Sequence, residues 1–248
     1  MLRFIIIVLF VVLFLILSIP VMIIEWIIGF FSPEIKDKSS LKIIQWAFRC
    51  CLFLAGTKMT VVGKENIPTD TAVLYVGNHR SYFDILINYV NFPKPTGFVS
   101  KIEMKKWPLL SIWMKYIHCL FLDRKDIRKG METIIEGSEK MKSGISLFIF
   151  PEGTRNKQDL PFLPFKAGSL KLAERSGCPI IPVAINHTAD IFENHLPKVW
   201  KTHVMVEYGK PIPTDSLSKE EKKSLAANVE AEVLRMFTKN AENNLGNY

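Results

Sequence analysis

Two short runs hold the residues best suited to chemistry: Asn78-His79-Arg80-Ser81-Tyr82-Phe83-Asp84 and Phe150-Pro151-Glu152-Gly153-Thr154-Arg155. In the first, a carboxylate follows a histidine by five residues. An imidazole near neutral pH can take a proton from an attacking hydroxyl, and a carboxylate on its other nitrogen fixes the tautomer and stabilises the imidazolium. Five residues of regular helix turn through roughly 140°, so one helix would point the two side chains apart. The pair therefore requires His79 in a loop and Asp84 in the first turn of the next helix, with Ser81 as the helix-start signal. An H-x4-D spacing is common by itself, and a capping aspartate beside an ordinary loop histidine has the same spacing. Ser81 also allows a Ser-His-Asp reading, although the GxSxG signature of such enzymes is missing.

In the second run, Pro151 and Gly153 favour a tight turn, Thr154 offers a hydroxyl, and Arg155 can hold phosphate with two hydrogen bonds. No GxxxxGK run is present, which argues against a nucleotide-binding loop. Standing alone, the segment is also compatible with a structural turn bearing a surface arginine. Two further cations follow apolar segments: Lys101 after Gly97–Ser100, and Arg124 after Cys119–Leu122. If those segments are parallel strands, all four places converge on one edge of a sheet. His118, His187, His195 and His203 lack a comparable setting. No HExxH or third ligand accompanies His79, so no metal site is expected. Cys50, Cys51, Cys119 and Cys178 form no CxxC pair and are expected to be reduced.

The elements that must position these groups alternate in type. Met59–Val62, Ala72–Val76, Gly97–Ser100, Cys119–Leu122, Ile145–Phe150, Ile180–Ile185 and His203–Tyr208 have the composition of strands. Helices are expected over Ile102–Tyr116 with a break at Pro108, over Ile127–Lys142, over Ala167–Arg175 ending at Gly177, and over Lys219–Thr238. In Ile127–Lys142 the expected core face is Met131, Ile134, Ile135, Ser138 and Met141. The pattern predicts an α/β class domain: a mixed, largely parallel sheet flanked by helices, with a helical N-terminal segment suited to anchoring in a membrane. Three parts are expected: membrane-anchoring or interfacial helices over 1–57, the α/β domain over 58–215, and a C-terminal amphipathic helix and tail over 216–248. Residues 241–248 are expected to fray.

Phe4 to Ile24 is a run of 21 uncharged residues, about 31 Å as a helix and close to the thickness of a bilayer's apolar core. It is too long for a signal peptide and lacks a small-residue cleavage site. Pro20 introduces a kink, which leaves open a spanning helix or two short helices lying in the membrane plane. A polar break over 32–40 precedes Leu41–Ala55, too short and too charged to span and better suited to an interface. The formal charge is +8. Residues 1–34 hold Arg3 against Glu25 and Glu34, a balance of −1, so the other 214 carry +9. Such an excess suits an anionic membrane face and anionic substrates. No nucleic-acid-binding motif accompanies it. Lys36, Lys38 and Lys42 after the apolar run, against Arg3 before it, favour a cytoplasmic catalytic domain.

With these residues in hand, the chain resembles the 1-acylglycerol-3-phosphate acyltransferase family. Four segments match in order: Asn78 to Asp84, Cys119 to Arg124, Phe150 to Arg155, and Pro179-Ile180-Ile181-Pro182-Val183. The likeness covers about 58–210 and includes the approach Val62 to Pro68. It implies transfer of a fatty acyl group from an acyl thioester to lysophosphatidic acid, with His79 as base and Asp84 its orienting partner. Glu152, Gly153, Thr154 and Arg155 would hold the glycerol phosphate, assisted by Arg124 and Lys101. Pro182 and its neighbours would shape the acyl pocket. No cofactor is implied, since acyl-CoA or an acyl carrier protein serves as co-substrate, and the workplace is a membrane lipid surface. His118 stands where many members carry glycine, which bears on the shape of the acyl pocket. Another lysolipid or glycerol 3-phosphate as acceptor, a lipid esterase, and a non-catalytic phospholipid-binding module are the alternatives.

Overall fold

Residues 58–208 lay down seven strands in one sheet, and the computed structural model describes residues 1–158 and 160–242 of the chain. The strands are β1 Lys58–Val62, β2 Leu74–Gly77, β3 Thr96–Lys101, β4 Leu120–Leu122, β5 Ser146–Ile149, β6 Ile180–Asn186 and β7 His203–Tyr208. Their spatial order is β1-β7-β6-β2-β5-β3-β4. Strands β2 to β6 are mutually parallel; β7 runs antiparallel to β6, and β1 parallel to β7. The sheet is therefore mixed and largely parallel, as the alternation of elements predicts.

Both faces of the sheet are covered, which is why its central strands are apolar throughout rather than alternating. Helices α2 Ile19–Phe31, α3 Pro33–Ala55, α4 Phe83–Tyr89 and α5 Pro108–Tyr116 pack with Tyr75, Phe148 and Val183 on one face. On the other, α6 Ile127–Lys142, α7 Lys171–Ser176 and α8 Lys219–Glu242 enclose Leu74, Val76, Leu147 and Ile180. Gly177 ends α7 with φ of 73°, the left-handed conformation anticipated from its type.

Several expectations need correction. The 32–40 stretch is no break: Pro33 opens α3, which runs on through the polar residues to Ala55. Its hydroxyls face inward, and Ser39 and Ser40 donate to the buried carboxylate of Glu25 on α2 at 2.8 and 3.2 Å. In α6 the buried face is Ile134, Gly137, Ser138 and Met141, while Met131 and Ile135 are exposed. The interruption expected at Pro108 is present: a 3-10 turn, Ile102–Lys106, precedes α5, which Pro108 opens because a ring without an N–H fits a first turn. Helix α8 extends to Glu242, continuing the buried stripe Leu225, Val229, Val233 and Met236 as far as Asn240. The expected frayed tail thus loses Ala241 and Glu242 to the helix, and residues 243–248 lie outside the described residues.

At the N-terminus the apolar run divides into α1 Leu2–Leu17 and α2, bent by 49° at Ser18. Pro20 cannot donate the bond that would continue α1. Trp113 on α5 donates to the Ser18 hydroxyl at 2.9 Å, and Tyr116 to the Met22 carbonyl at 3.0 Å, so the bend is fastened to the sheet domain. Among the described residues no single helix is long and apolar enough to cross a membrane; the bent pair passes that test only together.

Candidate active site

The carboxyl ends of β2, β3, β4, β5 and β6 lie on one edge, where both motif runs emerge. Asn78, buried just beyond β2, exchanges two hydrogen bonds with the backbone of Ile185 on β6, at 2.9 Å from its amide and 2.8 Å to its oxygen. That clamp sets the exit angle of the next residue, His79. Its main chain is held on both sides: the N–H donates to Glu152, and the carbonyl accepts from the Asn156 N–H at 2.7 Å.

His79 is in the loop and Asp84 in the first turn of α4, the arrangement their spacing demands. His79 Nδ1 lies 2.8 Å from Asp84 Oδ2, which also accepts the Arg80 and Ser81 N–H groups at 2.8 Å each. The Thr188 hydroxyl donates to Oδ1 at 2.5 Å. Asp84 is fully buried, and four donors satisfy a charge that would otherwise be costly there. A carboxylate on Nδ1 places the proton on that nitrogen, which leaves a lone pair on Nε2. Nothing among the described residues bonds Nε2, and the His79 side chain keeps 14% of its exposure. Ser81 is not poised as a nucleophile. Its buried hydroxyl donates to Glu193 at 2.7 Å and accepts the Phe83 N–H at 3.0 Å, so it shapes the start of α4.

Glu152 occupies a different post from the one its motif implies. Both carboxylate oxygens face backbone donors, His79 N–H on one and Leu163 N–H, at 2.7 Å, on the other. Burial pushes its carboxyl up to about 7, against the pull of those two donors. Both oxygens of this buried acid are thus engaged by the main chain, at His79 and at Leu163.

Around Gly153 the cations gather. Its φ of 76° suits glycine, and a Cβ there would stand 2.9 Å from Lys166 Nζ and 3.7 Å from an Arg124 Nη. Arg124 thus reaches the turn across the one intervening strand, β3, and its own pKa is lowered by burial. Arg155 lies 3.2 Å from Glu193 with its guanidinium 3.6 Å above the Tyr82 ring. Thr154 is exposed on the same turn. Lys101, at the exposed end of β3, bonds to none of the other site residues among those described. Sequence reasoning missed Lys166, Thr188 and Glu193. Lys166 sits in the sequence Pro164-Phe165-Lys166 with no periodicity to mark it, and the other two follow β6 in two short 3-10 turns.

The remaining histidines have structural partners. His118 has φ of 61°, a conformation natural to glycine, and its Nε2 lies 2.9 Å from Asp37 on α3. His195 stacks on Trp200, and His203 Nε2 lies 2.8 Å from the Thr60 hydroxyl.

A largely parallel sheet whose carboxyl edge carries an oriented imidazole beside a cluster of cations has the make-up of an enzyme site. The chain belongs to the acyltransferase family, whose profile matches residues 58–186. It is 30% identical over 196 residues to a 1-acyl-sn-glycerol-3-phosphate acyltransferase of Borreliella burgdorferi, covering 79% of this chain and 78% of that one. A Saccharomyces cerevisiae protein of the same name is 30% identical over 185 residues, covering 72% and 61%. The crystal structure of the 1-acyl-sn-glycerophosphate (LPA) acyltransferase PlsC from Thermotoga maritima superposes with a TM-score of 0.74 at 27% identity, covering 96% and 97%.

Proposed function

We propose that this enzyme transfers a fatty acyl group from an acyl thioester to the sn-2 hydroxyl of 1-acyl-sn-glycerol 3-phosphate, giving phosphatidic acid. One observation carries the reading: His79 is oriented by Asp84 through Nδ1 while Nε2 is left open, and the base lies beside a turn ringed by cations. The names of the similar acyltransferases from Borreliella burgdorferi and Saccharomyces cerevisiae supply the acceptor.

In this mechanism Nε2 takes the acceptor's hydroxyl proton as its oxygen attacks the thioester carbonyl. The tetrahedral intermediate collapses with loss of the thiolate, which takes the proton back from the imidazolium and leaves as free thiol. Asp84 stabilises the imidazolium between the two transfers. Gly153, Thr154, Arg155 and Arg124 hold the phosphate, with Lys166 and Lys101 adding positive charge. The donor is acyl-CoA or an acyl carrier protein thioester, and no cofactor takes part. Residues 1–57 seat the protein on a membrane lipid surface with the catalytic part, 58–215, facing the cytoplasm, and α8 completes the sheet's cover.

The test is free-thiol release from acyl-CoA and from acyl carrier protein thioesters, with and without lysophosphatidic acid, for wild type and His79→Ala. Acceptor-dependent release that falls by about two to four decades in the variant is the expected result. Release without acceptor would mean hydrolysis. Release only with glycerol 3-phosphate would move the activity to that acceptor.

A further inference from the structure

Glu193 touches both halves of the site. It lies in the 3-10 turn Glu193–His195, reached after β6. Its Oε2 accepts the Ser81 hydroxyl at 2.7 Å; its Oε1 accepts the Tyr82 N–H at 2.9 Å and faces an Arg155 Nη at 3.2 Å. Asp84 holds the 80–81 N–H groups from inside the same loop, so two carboxylates stitch the base's loop from opposite sides. Arg155 is fixed on one edge by Glu193 and on one face by the Tyr82 ring. Its other N–H donors have no partner among the described residues, and the side chain keeps 25% exposure. A guanidinium held in this way presents a free edge for bidentate contact with phosphate.

We propose that Glu193 is a positioning residue: it fixes the phosphate-gripping Arg155 at a set distance from the His79 loop, so that an acceptor held by its phosphate presents its hydroxyl to Nε2. The proposal rests on the acyl-transfer reading above. It has a signature that a plain counter-charge lacks. A carboxylate beside an anion site repels the anion, so neutralising it should tighten phosphate binding if charge were its only role. A carboxylate that orients the arginine gives the opposite result: its loss weakens binding, because Arg155 no longer meets the phosphate pre-aligned.

The experiment measures lysophosphatidic acid affinity by calorimetry in detergent micelles, together with KM and kcat for thiol release. The proteins are wild type, Glu193→Gln, Arg155→Ala and the double variant. Glu193→Gln is expected to weaken affinity and raise KM roughly tenfold, the worth of one charge-assisted hydrogen bond, and to do nothing further in the Arg155→Ala background. Glu193→Asp, which keeps the charge but withdraws it by one methylene, should show a similar loss and serves if the glutamine variant folds poorly. Equal or tighter binding in both single Glu193 variants would overturn the proposal, as would an undiminished effect in the Arg155→Ala background. Wild type that binds the lipid but releases no thiol would sink the acyl-transfer reading, while the binding comparison would still decide for or against Glu193.

Discussion

The imidazole of His79 lies flat on the ring of Phe150, with centroids 3.9 Å apart and 9° between the planes. Phe150 is the last of an aromatic series, Phe98 against Phe148 at 4.7 Å and Phe148 against Phe150 at 4.8 Å, built into the sheet's core. Asp84 fixes one edge of the imidazole and Phe150 one face, so the direction of Nε2 follows from packing as well as from hydrogen bonding.

Phe150→Leu should therefore damage chemistry more than folding. The volume change in the core costs about 1 kcal/mol, read by denaturant unfolding. A base free to tilt should lower kcat roughly ten- to a hundredfold with little change in KM for the acceptor. An unchanged kcat would show that Asp84 alone orients the ring.

Gly153→Ala and Lys166→Ala test the cation cluster from two directions. Alanine at φ of 76° costs about 1–2 kcal/mol and pushes a methyl toward Lys166 Nζ and Arg124. Lys166→Ala removes a charge without touching the backbone. Both should raise KM for lysophosphatidic acid, the lysine variant by roughly tenfold, and leave kcat closer to wild type. If KM holds in Lys166→Ala, the phosphate is held by the arginines alone.

The places of the candidate site residues were far more legible in the sequence than the residues that hold them there. His79, Asp84 and the 150–155 turn stand at the ends of apolar strands, where composition and turn residues mark them, and each falls where its spacing requires. Arg124 joins them only because β2 to β5 are parallel, a conditional the alternation of elements suggested but could not decide. The direction of Glu152 was not legible, because a motif gives a residue's neighbours and not where its side chain turns: its carboxylate accepts from the main chain of His79 and Leu163. Thr188 and Glu193 reach the site through turns that follow β6, more than a hundred residues beyond the loop they support, and no local pattern marks such contacts. The polar start of α3 misled for a similar reason, since its serines face a buried glutamate on another helix.

Glu152 predicts a particular pH dependence of stability. Its carboxyl titrates near 7 in the folded protein, above its ordinary 4.5, because burial disfavours the charge. The folded state then holds this proton more tightly than the unfolded chain, so the contribution to stability is fully present below about 4.5 and lost as pH rises through about 7. Glu152→Gln does not titrate and also leaves one backbone donor without its acceptor. The variant should be less stable at acid pH, and the gap to wild type should narrow between pH 5 and 8, on the order of that pKa window. Unfolding curves at several pH values check this; a gap that widens with pH would mean the carboxylate form is the one the fold favours.

Membrane attachment can be tested without removing helices. Deleting residues 1–31 would also remove Met22 and Ser18, which are buried against α5 and the core, so loss of binding would be confounded with damage to the fold. Ile5, Leu9, Val12 and Ile16 are exposed along α1, while Phe4, Ile7, Phe14 and Leu15 pack inward. Leu9→Glu with Ile16→Glu changes only the outward stripe. At roughly 3 kcal/mol for each charge carried into an apolar bilayer, the pair should release most of the protein in vesicle flotation while unfolding in detergent stays near wild type. A protein that still floats with its vesicles would place the attachment elsewhere, in the exposed Trp26, Phe30 and Phe31 of α2 or in the basic surface of the catalytic part. A second pair of substitutions, Trp26→Glu with Phe30→Glu, on exposed positions of α2, separates those two possibilities.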